Sequence, residues 1–243
     1  MKRRQFLKVV SSSVLALQVP ISVQASNISL PTSRAKTRIG CWVFDGFETL
    51  DLHGPVEMLS YMYGYPILTE NIEIFYIGEG DWAKSTQGPS VKCDKPIGPI
   101  YDLDIFIIPG GDVDEQAEKS GMISWITRQC EQSQYVLTVC TGSRMLARTG
   151  LINGRKATTN KMLFSKAVRQ NNLVSWQTQA RWVHDGKYIT SSGVTAGTDA
   201  ALYLISLMKG QEQAQFAATI TEYEWNSDPL DDPFAVSLDL LDP

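Results

Sequence analysis

The stretch YVLTVCTGSRMLARTG, residues 135–150, sets one cysteine between an apolar run and a helix-forming run. Cys140 follows YVLTV, a strand by composition. It precedes a helix expected from Thr141 to about Arg148, stopped by Gly150. In an open α/β sheet, ligands gather where strands end and the chain turns into helices. A thiol at such a bend meets free backbone N–H groups and the positive end of the helix dipole, which favour the thiolate and lower its pKa. This is the logic of a nucleophile elbow, although the G-x-S-x-G pattern is absent. Packing as a small buried residue is the competing role for the same cysteine.

Two more stretches could serve that bend. The glycine pair of PGG, 109–111, ends another apolar run. Bare backbone there lets an N–H of Gly110 or Gly111 join that of Thr141 in an oxyanion-type cradle, or it forms only a turn. In FETLDLHGPVEML, 47–59, Asp51 approaches a helix that has Pro55 in its first turn. Asp51 reads either as a helix cap or as an acid/base group whose pKa is raised by partial desolvation. His53 is near enough in sequence to orient water, but also suits an exposed helix start. His184 falls at a turn, and Asp199 in GVTAGTD suits a cap or a bond to nearby amides. Cys41 reads as core, and Cys93 and Cys130 as free or paired. No CxxC or close Cys/His spacing exists, so a zinc site has no sequence support.

The elements that must position these groups follow from periodicity. TRIGCWVF (37–44), NIEIFYIGE (71–79), DIFIIPGG (104–111) and YVLTV read as buried strands. LHGPVEMLSYMYG, MISWITRQCEQ, NKMLFSKAVRQN, GTDAALYLISLMKG and QEQAQFAATITEYEW read as helices. QARWVHDGKYITSS carries Asp185-Gly186 between alternating runs, a hairpin signal. Short apolar strands alternating with helices predict an α/β fold with a mainly parallel central sheet covered on both faces.

The ends of the chain read differently. Residues 1–25 have a basic start, a short apolar stretch and Val23-Gln24-Ala25 at their end. Arg3-Arg4-Gln5-Phe6-Leu7-Lys8 fits a twin-arginine export signal, which predicts passage through the twin-arginine translocase to the periplasm and no stable membrane insertion after cleavage. Residues 26–36 read as a linker, 37–225 as the domain, and 226–243 as an acidic surface extension. Removing the leader's four basic residues from the chain's 22 leaves 18 against 26 acidic ones, a net charge of −8. Nucleic acid is then not an expected partner, because neutralising phosphates needs a basic surface.

FETLDLHGPVEML, DIFIIPGG, YVLTVCTGSRMLARTGLINGRKATTN and RWVHDGKYITSSGVTAGTDAAL occur in this order. Together they resemble the DJ-1/PfpI superfamily, most closely its isonitrile hydratase branch and the ligand domains of AraC-type regulators. The resemblance covers most of residues 37–225. It implies a flavodoxin-like three-layer sandwich, a homodimer and a cysteine on the elbow. It assigns catalysis to Asp51 in D-x-x-G-P and to Cys140 and Thr141 in C-T-G, with a small isonitrile hydrated to an N-substituted formamide. No metal or organic cofactor is implied. Two departures stand out. Asn160 follows A-T-T where many relatives have histidine, and Thr141 follows the cysteine where PfpI-type peptidases have histidine. No DNA-binding module is read after residue 225, so a stand-alone transcription factor is not expected.

In the chemistry this implies, Asp51 protonates the isonitrile carbon and Cys140 adds to it. Water then releases the formamide, or attacks directly while Cys140 only polarises the substrate. Two other classes use the same residues: a periplasmic binding or sensing protein without turnover, and a redox or electrophile-scavenging protein working through Cys140.

Overall fold

Short β-branched and aromatic runs, apolar on both faces, become the strands of one seven-stranded sheet. The computed structural model describes residues 36–67 and 70–238. The leader, nearly all of the linker and the last residues of the extension lie outside the described residues. In chain order the strands are β1 (Thr37–Trp42), β2 (Ile72–Gly78), β3 (Lys95–Pro96), β4 (Ile105–Ile108), β5 (Tyr135–Thr138), β6 (Trp182–Asp185) and β7 (Tyr188–Ser191). They lie side by side in the order β6-β7-β5-β4-β1-β2-β3. Every neighbouring pair is parallel except the hairpin β6/β7, which turns through Gly186 in the left-handed region.

Parallel neighbours need crossovers, and the helices supply most of them. They are α1 (Thr49–Ser60), α2 (Val113–Glu118), α3 (Met122–Gln132), α4 (Gly142–Arg148), α5 (Phe164–Gln170), α6 (Ala196–Lys209) and α7 (Gln211–Ile220). Helices α1, α6 and α7 pack together as one layer, and α2, α3 and α4 as another, with α5 beside α4. The expected mainly parallel three-layer sandwich is the fold observed. Trp42, Ile39, Phe106 and Trp125 are fully or almost fully buried between these layers. Each such side chain contributes about 1.5–3 kcal/mol by leaving water.

The order of strands decides where a site can form. From β1 the chain goes to β2 on one side, then returns past β1 to β4 on the other. The carboxyl ends of β1 and β4 therefore flank a topological switch point, the usual ligand crevice of an open sheet. Asp51 follows β1, Gly110 follows β4, and Cys140 follows the neighbouring β5.

Several boundaries differ from the sequence reading. Helix α1 starts at Thr49, with Glu48 at the N-cap position but making no capping hydrogen bond, so Pro55 lies inside it rather than in its first turn. Pro55 has no N–H for the Asp51 carbonyl four residues earlier, which frees that turn of the helix from its regular bond. The segment expected as one helix from Asn160 is a 3-10 turn, Lys161–Leu163, followed by α5. The acidic extension is pinned along 226–232: Pro229 accepts a hydrogen bond from Arg181 N, and the Asp232 side chain is buried.

Candidate functional site

Cys140 is held in the left-handed region, with φ of 55°. A residue with a β-carbon pays roughly 1–2 kcal/mol there. The cost is met by overdetermined backbone contacts. Cys140 N donates to Ser192 O at 2.9 Å, continuing the β5/β7 pairing past its end. Its carbonyl accepts from Ser143 Oγ at 3.0 Å and Thr159 Oγ1 at 3.1 Å. Gly142 makes the bend possible, since a β-carbon there would sit 2.2 Å from Ile108 O. The sequence predicted this elbow, and the structure has it.

Asp51 is fully buried in the first turn of α1 and does not cap it. Its Oδ2 accepts from Gly110 N at 2.8 Å, while Oδ1 is buried with no hydrogen-bond partner. The Cys140 thiol couples to this carboxyl without closing a directed bond on Oδ1. Burial, the largest effect, lifts the Asp51 pKa well above the carboxylate range; the nearby Glu48 charge adds to it, against the Gly110 N–H.

The thiol behaves contrary to the sequence expectation. Burial and the neighbouring Asp51 charge push Cys140 well above the ordinary thiol pKa, and Thr141 N–H and Asn160 pull only partly against them. Helix α4 has a single short stretch of seven residues behind that bend. Cys140 is 7% exposed, so its sulfur has lost most of its water. Both shifts run toward the protonated forms.

The cradle expected from a glycine N–H and Thr141 N–H is not what forms. Gly110 N–H is committed to Asp51, and Gly111 N–H donates to Thr141 Oγ1 at 3.0 Å. The Thr141 hydroxyl in turn donates to Gly111 O at 3.1 Å. The two glycines position Asp51 and Thr141 instead of offering free donors. A β-carbon on Gly110 would fall 2.6 Å from Asp51 Oδ2 and 2.8 Å from Thr141 N, so this bare backbone is part of the site wall.

Asn160 completes the site and was legible in the sequence only as a departure. Its Nδ2 donates to Cys140 Sγ at 3.2 Å, and its Oδ1 accepts from Met162 N at 3.0 Å. The second bond caps the 3-10 turn and so fixes which end of the amide faces the sulfur. An asparagine directly before a helix start was the available signal.

The other candidates lie elsewhere. His53 packs edge-on against Tyr76, and burial lowers its pKa. His184 bonds Tyr203 Oη and Gly186 O at the hairpin. Asp199 accepts from Asn226 N at 3.0 Å and pairs with buried Arg181. Cys41 is core, and Cys93 and Cys130 are, like it, unpaired buried thiols. Among the described residues, no three His, Cys, Asp or Glu side chains are grouped to hold a metal ion, and no helix is long and apolar enough to cross a membrane.

Known proteins resemble this chain in sequence and fold to varying degree. The chain is 30% identical over 190 residues to the isonitrile hydratase of Pseudomonas putida, covering 76% of this chain and 78% of that one. A THiJ/PfpI family protein from Pseudomonas syringae superposes with a TM-score of 0.68 at 28% identity, covering 82% of this chain and 78% of that one. Drosophila melanogaster DJ-1beta shares the fold at a TM-score of 0.66 and 18% identity, over 78% of this chain and 100% of its own. The DJ-1/PfpI family model matches residues 37–207, and with an elbow cysteine on a flavodoxin-like sheet the chain belongs to the DJ-1/PfpI family.

Proposed function

We propose that the protein is an isonitrile hydratase-like enzyme that converts a small isonitrile and water into an N-substituted formamide. The observation that carries this reading is the buried Asp51 carboxyl, its pKa raised, coupled to the elbow thiol of Cys140. An isonitrile carbon becomes electrophilic only after it takes a proton. A carboxyl whose pKa is raised holds its proton more firmly than a solvated one and is suited to give it to the substrate. The similarity to the Pseudomonas putida enzyme supports the same class of chemistry.

The steps balance as follows. Asp51 protonates the terminal carbon. The Cys140 sulfur bonds to that carbon while its own proton passes to the Asp51 carboxylate, giving a thioimidate. Water adds to the same carbon, the C–S bond breaks, and formamide leaves with the thiol restored. Thr141 N–H and Asn160 Nδ2 stabilise sulfur as its charge develops. The raised thiol pKa weighs against the redox or scavenging role, which needs a standing thiolate. We also propose that Arg3-Arg4 directs export to the periplasm and that the working form is a homodimer.

The test is to incubate purified protein with methyl, benzyl and branched alkyl isonitriles and follow formamides by mass spectrometry, with Cys140→Ala alongside. Formamide from wild type and none from the folded variant is the expected outcome. Equal turnover by both removes Cys140 from the mechanism, and formamide from neither removes the hydratase reading.

A further inference from the structure

A cavity of about 240 Å³ opens beyond Asn160, lined by Asn160, Met162, Arg181, Val194, Thr195 and Phe234 among others. Neither Cys140 nor Asp51 lines it, but Asn160, whose amide touches Sγ, is among its lining residues. Its surface is mostly carbon. The two cations beside it, Lys161 and Arg181, are matched by two acidic side chains: Asp199 pairs with Arg181, and Asp232 lies 3.5 Å from Lys161 Nζ and 3.8 Å from Arg181. A neutral apolar group therefore fits this space better than an anion. A cavity of roughly 150 Å³ holds a benzene, so this one takes a somewhat larger group.

The outer wall comes from the extension read as a surface tail. Phe234 lines the cavity although its residue is 56% exposed. What holds it there is buried. The Asp232 side chain is fully enclosed, its Oδ1 accepts from Phe234 N at 3.1 Å, and its Oδ2 has no hydrogen bond. Asn226 adds a second tie, donating from its backbone N to Asp199 Oδ1.

We propose that this cavity receives the apolar N-substituent of the substrate, a group of about benzyl size, and that the C-terminal segment carrying Asp232 and Phe234 sets its upper size. The proposal rests on the hydratase reading for the identity of the reacting group. An isonitrile is linear, so a substrate with its carbon at Cys140 Sγ and its axis running along Asn160, which touches the sulfur and also lines the cavity, would carry its substituent there.

The readout is the ratio of kcat/KM for benzyl over methyl isonitrile. Wild type should favour benzyl by at least about tenfold, the scale of discrimination by an apolar pocket. Val194→Trp, which fills the cavity, should lower that ratio at least about tenfold. Phe234→Ala, which only removes an exposed wall, should lower it by about threefold or more. Asp232→Asn should move the ratio as Phe234→Ala does and reduce Tm; if it does not fold, Phe234→Ala still decides. A ratio within twofold of wild type in both Val194→Trp and Phe234→Ala overturns the proposal while leaving the hydratase reading intact. If wild type turns over neither isonitrile, calorimetry with N-benzylformamide separates the two: binding that Val194→Trp abolishes supports the cavity assignment, and no binding to wild type overturns it.

Discussion

Gly110→Ala tests the site geometry without removing a reacting group. Gly110 is outside the left-handed region, so alanine strains no backbone there. Its new methyl would stand 2.6 Å from Asp51 Oδ2 and 2.8 Å from both Thr141 N and Thr141 Oγ1. Ordinary contact begins near 3.4 Å, so the carboxyl must shift by about 0.8 Å and Thr141 by about 0.6 Å. Asp51 has no solvent to retreat into, and the displacement has to be shared with Cys140 across the pair. Misplacement near 1 Å at a reacting centre costs about a hundredfold. The overpacking should also lower stability by about 1–3 kcal/mol. Steady-state formamide formation gives kcat/KM, and a thermal melt with circular dichroism shows whether the variant is folded. A folded Gly110→Ala protein within threefold of wild-type kcat/KM would refute the claim that Asp51 and Thr141 act from these positions.

Asp51→Asn should lower kcat/KM by about 10²-fold or more, the scale of general acid assistance, and a change within twofold would return Asp51 to a structural role. The same variant should melt higher than wild type at alkaline pH. The folded pKa of Asp51 is raised above the unfolded value of about 3.9, so its stabilising contribution is complete below that value and is lost as pH rises through the folded pKa. Melts across this window check it: the gap should close toward acid, and a gap of the opposite sign would sink the reading. Asn160→Ala removes a donor 3.2 Å from Sγ, so iodoacetamide labelling of Cys140 should shift to higher pH and slow by about two- to tenfold; an unmoved midpoint would show that Asn160 does not stabilise the thiolate. Replacing Arg3 and Arg4 together with lysine should leave the protein in the cytoplasm of a bacterial host, and its unchanged recovery from the periplasm would discard the twin-arginine reading.

The parts of the fold legible in the sequence are those that packing dictates. TRIGCWVF, DIFIIPGG and YVLTV are apolar on both faces because their strands lie inside the sheet with helices above and below. The segments that escaped are too short to carry a period. The ribbon Trp82–Lys84 with Ser90–Lys92, the edge strand β3 and the six-residue α2 are placed by tertiary contacts instead. The hairpin β6/β7 was visible because Asp185-Gly186 supplies its turn locally. Position made Cys140 a candidate, since it follows a strand at the sheet's carboxyl edge, whereas Asp51 read equally as a helix cap and was singled out for catalysis, with Thr141, only by the family resemblance. The amides of Gly110 and Gly111 were not legible, because nothing in a glycine pair says which acceptor its N–H groups will find. Asn160 was noticed only for what it replaced.

Charge was the least legible property, and magnitudes explain why. A helix N-terminus stabilises an anion by about 0.3–1 kcal/mol, up to ~2 kcal/mol in partly buried geometries. Taking an ion out of water costs several kcal/mol even after the surroundings relax. A bend at the end of a strand announces the first effect in the sequence. The second depends on how closely Ser192, Asn160 and the α1 turn enclose the sulfur, which only the folded chain determines. At Cys140 the second wins, and the thiol stays neutral. That outcome favours one order of events. A standing thiolate would attack any electrophile that reached it, whereas a neutral thiol beside a carboxyl of raised pKa favours a substrate that first accepts a proton. An isonitrile is such a substrate, and selectivity then comes from the proton rather than from the nucleophile.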